Sequence, residues 1–237
     1  MIERIHYLLL ESLDRAPGPV LCLGDQVPHE STGFSTSSDL FRSLGYESVV
    51  DLDYNGRASI NHDLNFPVNW WMHQQYALVF DGGTCEHVAN IGEALRTMAL
   101  CCKVGGHVIQ ESPIVPYGQQ YFGIDPQIQR DFFHVNGFER VQQVCHYKRS
   151  LRLWLLHALC RLLPKRSLGM VRDRAKSVPG MKRFLFRDTL PVIYPDAFED
   201  RECYYVHPQT RTMYVGEKRR HEADTRWPAM GCYPKSQ

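Results

Sequence analysis

The sequence predicts an α/β chain built on a mostly parallel sheet with helices on both faces. Three observations carry that reading. Short apolar runs at Val20–Leu23, Ser48–Asp53, Tyr76–Phe80 and Val108–Gln110 are strand-like, and helix-like segments separate them. The runs end at Gly24, Asp53, Asp81 and Glu111, which are glycine or carboxylate positions. The regular alternation is that of parallel strands joined by crossover helices. In such sheets ligands bind beyond the carboxyl ends of the strands, so these four positions are where function is sought.

The elements follow in order. Ile2 to Leu13 has the pattern of an amphipathic helix and is ended by Pro17-Gly18-Pro19. Val20–Leu23 is a buried-type strand running into a turn at Gly24. A Ser/Thr-rich loop, Glu30 to Ser38, precedes a short helix, Asp39 to Leu44, with Gly45 as its stop. Ser48–Asp53 is the second strand and His62–Pro67 a loop. Tyr76–Phe80 is a strand broken by Asp81-Gly82-Gly83. From His87 to Cys102, Val88, Ile91, Ala94, Leu95, Met98 and Ala99 recur at helical spacing. Lys103-Val104-Gly105-Gly106 is expected to close that helix, since glycine tolerates left-handed geometry at a helix C-terminus. Pro126–Phe133 reads as a helix, Asn136-Gly137-Phe138 as a turn, and Val141–Val144 as a strand. Cys203–Val206 and Thr212–Val215 read as a terminal hairpin joined by 207–211, and the residues from His221 onward as a loose tail.

A chain of 237 residues is expected to form one domain, 1–237. Its eight cysteines contain no Cys-x-x-Cys pair, which predicts reduced thiols and no zinc. The N-terminal apolar run is too short and too acidic for a signal peptide, and no run of about 18 apolar residues occurs. A cytoplasmic location is expected. Charge is unevenly placed: Lys148 to Arg187 carries twelve Lys or Arg and one acid, Asp173. This basic, leucine-rich insertion (148–187) has three readings: a solvated face, a peripheral membrane contact, or a cap over an acceptor. Nucleic acid is not expected, because leucines rather than exposed aromatics interleave the cations.

The stretch Tyr76 to Gln110 resembles the motif IV to motif V core of class I S-adenosylmethionine (SAM)-dependent methyltransferases. Asp81, Glu86-His87-Val88 and Gly105-Gly106 match that pattern, and Val104 stands where the family usually has proline. A Pro-initiated helix before Asn136-Gly137-Phe138 extends the resemblance, which covers Val20 to about His146. It implies a Rossmann-like, seven-stranded sheet ending in an antiparallel hairpin. It also implies SAM as cofactor, S-adenosylhomocysteine as product, and a small-molecule acceptor methylated at oxygen. The first strand departs from the family pattern: Cys22 takes the place of the usual acid and Gln26 that of the second glycine.

The resemblance assigns candidate site residues. Gly24, Asp25 and Gln26 would meet the amino-acid end of SAM, although a glycine after a strand is also an ordinary turn. Asp53, with Asp51 as fallback, would take two ribose hydroxyls, or would cap a turn with Asn55-Gly56. Asp63 and Leu64 would face adenine. Asp81, Gly82 and Gly83 lie where the methyl would meet its acceptor, with glycines permitting close approach. His87 is a candidate general base or a fold-supporting histidine, and Glu86 a second catalytic candidate or a first-turn acid. Tyr117, Tyr121, Phe122, Trp70 and Trp71 would line an acceptor pocket or join the core. No metal is expected, since the first glutamate of the related ubiquinone-type motif would fall at Gly83. Two rivals stand beside this reading. One is a fold of this type that has lost SAM and serves as a binding or scaffold protein. The other is a Rossmann oxidoreductase, for which the first strand lacks Gly-x-Gly-x-x-Gly.

Overall fold

The computed structural model describes residues 1–14, 16–115, 119–147, 210–222 and 224–228. Among these residues seven strands form one sheet: β1 (Val20–Leu23), β2 (Val49–Asp53), β3 (Ile60–Asn61), β4 (Tyr76–Gly82), β5 (Cys102–Pro113), β6 (Phe138–Tyr147) and β7 (Thr210–Lys218). Their order is β3-β2-β1-β4-β5-β7-β6. The first five are mutually parallel, with Val20 opposite both Val49 and Leu78, and Gly82 opposite Glu111. β7 lies antiparallel between β5 and β6, pairing Pro113 with Arg211 and Phe138 with Lys218. This places the start of β7 beside the carboxyl ends of β4 and β5.

Both faces of the sheet are covered, which is why β1 and β4 are buried at every residue. Alternate side chains go to opposite faces. Leu21, Leu23, Leu52, Val79 and Val108 pack with helices α3 (Ile91–Cys101) and α4 (Pro126–Val135). Val20, Cys22, Leu78, Phe80 and Ile109 pack with α1 (Arg4–Ser12) and α2 (Ser37–Ser43). Side-chain caps set three helix starts. Thr36, Asn90 and Asp125 each accept a hydrogen bond from a backbone N–H of the first turn, and Pro126 opens α4.

Several elements differ from the sequence expectation. Residues Cys85–His87 form a single 3₁₀ turn, and α3 begins only at Ile91. Glycine does not close α3. Its C-cap, Cys102, is extended and is already the first residue of β5. The carbonyls of Ala99 and Cys102 instead accept from the buried ammonium of Lys218 at 2.6 and 2.8 Å. Gly105, at φ +76°, sits within β5 where the register with β4 shifts. β3 is a two-residue strand the sequence did not announce. The segment from His221 is not loose where it is described. Trp227 packs against Phe132 with ring centroids 4.9 Å apart, and Asn136 accepts from Arg226 N–H at 2.8 Å. Within the expected hairpin, Thr212–Val215 lies in β7, whereas Cys203–Val206 falls outside the described residues, as does the basic segment 148–187. Among the described residues no helix is long and apolar enough to cross a membrane.

Candidate active site

The carboxyl ends of β4 and β5 and the start of β7 bring a cluster of buried polar side chains together. Asp81, at zero exposure, organises the turn after β4: Oδ1 accepts from Gly83 N–H (3.1 Å) and Thr84 N–H (2.6 Å). Its Oδ2 accepts from Gln110 Nε2 at 3.1 Å. The turn directs two neighbouring side chains oppositely. Glu86 points inward at 1% exposure, while His87 is exposed, its Nδ1 3.3 Å from Gln119 O.

Glu86 Oε1 accepts from Arg211 Nη2 at 3.0 Å and from Gln120 Nε2 at 3.4 Å. Its Oε2 accepts from Ser112 Oγ at 3.3 Å. The guanidinium is shared, for Arg211 Nε stands 2.5 Å from Glu111 Oε1. Glu111 Oε2 in turn meets His6 Nε2 at 2.5 Å. Glu3 N–H donates to His6 Nδ1 at 2.8 Å, so Nε2 bears the hydrogen facing Glu111. Helix α1 thus reaches the ends of the central strands. Burial, with the negative charge of Asp81 added, pushes the Glu86 carboxyl up to about 7, against the opposing pull of Arg211.

Gly83 is required by this arrangement. Its φ is +105°, and a Cβ there would lie 2.5 Å from Arg211 Nη2. At the end of β1, Gly24 (φ +75°) is covered by Thr84, whose hydroxyl donates to Leu23 O. Gln26 is buried: Nε2 donates to Leu23 O (2.7 Å) and Thr84 Oγ1 (3.0 Å), and Oε1 accepts from the Met1 α-amino nitrogen (2.7 Å). The same nitrogen donates to Gly82 O at 3.1 Å.

The remaining sequence-predicted residues fall into separate groups. Asp53 Oδ2 accepts from Asp25 N–H (3.0 Å) and Asn55 Nδ2 (3.2 Å), and Oδ1 from Tyr54 N–H (2.6 Å), so it does cap the turn after β2. Asp51 is tied to Ser59. Partial burial raises its pKa, but the Ser59 hydroxyl and N–H outweigh that and lower it overall. Asp63 accepts from Asn65 N–H at 2.9 Å and Nδ2 at 2.7 Å, and Leu64 is buried beside it. The N–H groups of Tyr121 and Phe122 both donate to Glu86 O, which brings these two aromatics to the cluster. Trp70 and Trp71 do not come to it. They are exposed on the 3₁₀ turn leading into the amino end of β4, whereas Glu86 follows its carboxyl end. Tyr117 falls outside the described residues. Among the described residues no group of three His, Cys, Asp or Glu side chains is arranged to hold a metal ion.

His6, Ser112 and Arg211 carry no local sequence signal. Glu111 was visible only as a strand-end carboxylate.

No protein-family model matches this chain, and no curated protein matches it in sequence. Among solved structures, a candidate methyltransferase from Bacillus halodurans is similar in fold. It has a TM-score of 0.52 at 13% identity, with 90% of this chain and 97% of that one covered. This chain has the class I methyltransferase fold. Its seven-stranded, mostly parallel sheet with an antiparallel end is the architecture that the resemblance implied. A SAM-dependent methyltransferase from Archaeoglobus fulgidus matches at TM-score 0.45 and 12% identity, covering 90% of this chain and 94% of that one. In this methyltransferase fold the cluster around Glu86 lies at the carboxyl ends of the central strands, the side where ligands bind in open α/β sheets.

Proposed function

We propose that the protein transfers a methyl group from SAM to the hydroxyl of a small molecule, with Glu86 as the general base. The observation that carries this reading is a buried carboxyl, poised near neutrality, at the carboxyl ends of the central strands of a methyltransferase fold.

The residues present suit SAM by the chemistry of their donors and acceptors. Gln26 Oε1 and Gly82 O already accept from an α-amino nitrogen, that of Met1, and would accept from the methionine ammonium of SAM in exchange. The Asp53 carboxylate at the end of β2 would receive ribose hydroxyls, and Asp63 with Leu64 would border adenine. When bound, SAM supplies a methyl group on a sulfonium, so alignment provides much of the rate. The protein's own part is to orient the acceptor and take its proton. Above about pH 7 Glu86 is a carboxylate able to accept that proton. Its Gln120 contact, at 3.4 Å, is weak, and an acceptor hydroxyl would replace it. Tyr121 and Phe122 flank that approach. The cation that contacts Glu86, Arg211, is held by two carboxylates, so an uncharged hydroxyl suits the site better than an anionic acceptor. His87, facing outward, is the weaker candidate base.

One observation favours a second reading, that of a SAM-lacking binding protein. The buried Gln26 side chain fills the space between β1 and β4, where a Cβ on Gly82 would lie 2.7 Å from its Oε1. Titration calorimetry of the full chain separates the two. SAM and S-adenosylhomocysteine should bind, and Asp53→Ala should weaken both by roughly tenfold or more, as loss of a charge-assisted hydrogen bond does. Absence of heat at millimolar ligand would leave the second reading standing.

A further inference from the structure

Four residues from four distant parts of the chain form one line: His6 on α1, Glu111 on β5, Arg211 on β7 and Glu86 after β4. The contacts are directional. The imidazole Nε2–H faces Glu111, the other oxygen of Glu111 holds the Nε edge of Arg211, and the Nη2 edge of the same planar guanidinium donates to Glu86. Resting on the reading of Glu86 as the base, we propose that Arg211 is the positioning residue of that base, with Glu111 and His6 as its anchor. The line fixes which oxygen of Glu86 is engaged. Oε1 is bound by the guanidinium, and Oε2 faces Ser112, itself the acceptor of a 2.9 Å hydrogen bond from Gln110. The carboxylate is thereby held at both oxygens, and the position on Oε1 now taken by Gln120 is the one left to the acceptor.

Geometry supports this beyond the contacts themselves. Gly83 leaves its Cβ position to the guanidinium, so the backbone between Asp81 and Glu86 is shaped around Arg211. The Arg211 side chain is 22% exposed, against 1% for Glu86 and 3% for Glu111, so the arginine forms the outer wall of the cluster. Charged and titratable groups face Glu86 from several elements among the described residues. They are Asp81 at the end of β4, the Cys85 thiol and His87 on its own turn, Glu111 on β5, Arg211 on β7 and the Met1 α-amino group. The positive charge of Arg211 favours the charged form of the Glu86 carboxyl.

Infrared titration of the full chain, carrying carbon-13-labelled glutamate carboxyls, tests the assignment. Subtracting the Glu86→Gln spectrum identifies the Glu86 band. Arg211→Gln should raise its midpoint by about one pH unit or more, the size expected for loss of an adjacent opposite charge. Arg211→Lys keeps the charge without the planar fork and should return at least half of that shift. In nitrogen-15 spectra the Arg211 Nε–H signal should be protected in the native protein and lost in His6→Ala, which leaves both carboxylates in place. A Glu86 midpoint that Arg211→Gln does not move, in protein that still melts cooperatively, overturns the assignment. If Arg211→Gln does not fold, Arg211→Lys decides: it lacks the planar fork, so a Glu86 carboxylate band unchanged from the parent overturns the assignment equally. The titration needs neither SAM nor acceptor, so it can fail while SAM binding succeeds, and the reverse.

Discussion

Glu86 gives the molecule its clearest pH signature. Its folded carboxyl titrates at about 7, against an ordinary 4.5. Between those values the folded state retains a proton that the unfolded chain has released. The stability contributed is therefore complete below about 4.5 and is lost as pH rises through about 7. Glutamine is uncharged throughout, so Glu86→Gln should melt with the parent near about pH 5 and exceed it by roughly 2–6 °C near about pH 8. A melting difference that stayed flat with pH would remove the buried-carboxyl account. Glu86 itself was legible in the sequence, because Glu-His-Val after a strand and loop is a motif. Its partners were not. Arg211 lies 125 positions away, and His6 meets Glu111 across 105. Contacts at such separations come from strand order, which local patterning does not encode. The opposite sides taken by Glu86 and His87 also depend on a 3₁₀ turn that helical periodicity did not distinguish from the start of α3.

At the scale of elements, the join between α3 and β5 shows how a distant side chain replaced a local signal. Gly105-Gly106 suggested a helix stop, but the left-handed conformation that glycine permits serves a bulge as well as a cap. The helix end is satisfied instead by Lys218, whose ammonium lies under 6 Å from the Phe138 ring and reaches two carbonyls. Burial lowers its pKa to about 8. Lys218→Met leaves both carbonyls without that donor and should cost about 2–4 kcal/mol at neutral pH, read from urea unfolding. An unchanged urea midpoint would mean that other donors take over the helix end. Other element boundaries were readable within a few residues. Pro126 marks the start of α4, and Gly45, at φ +87°, follows α2 as its stop.

For the whole molecule, the alternation of strands and helices announced a covered sheet, and the burial of β1 and β4 on both faces agrees with it. That covering should govern thiol chemistry. Cys22, Cys85, Cys101 and Cys102 are free and buried, and desolvation raises each thiol pKa, to about 12 for Cys101 and Cys102. Alkylation followed by mass spectrometry should leave these four unmodified in the native protein and label them only in denaturant. Rapid native labelling of any of them would mean that the sheet opens locally. What the sequence left open was the position of the last strand, because nothing in Thr210–Lys218 states that it enters between β5 and β6. That insertion has a consequence for synthesis. While a ribosome is still translating residues before 210, β5 and β6 have no β7 to join them, and Glu86 and Glu111 have no arginine between them. β7 joins β5 to β6 and delivers the guanidinium in the same step. A nascent chain therefore completes the buried cluster around Glu86 only after Arg211 has been made, and the pairing that joins β5 to β7 spans about a hundred positions of sequence, a contact separation that slows folding.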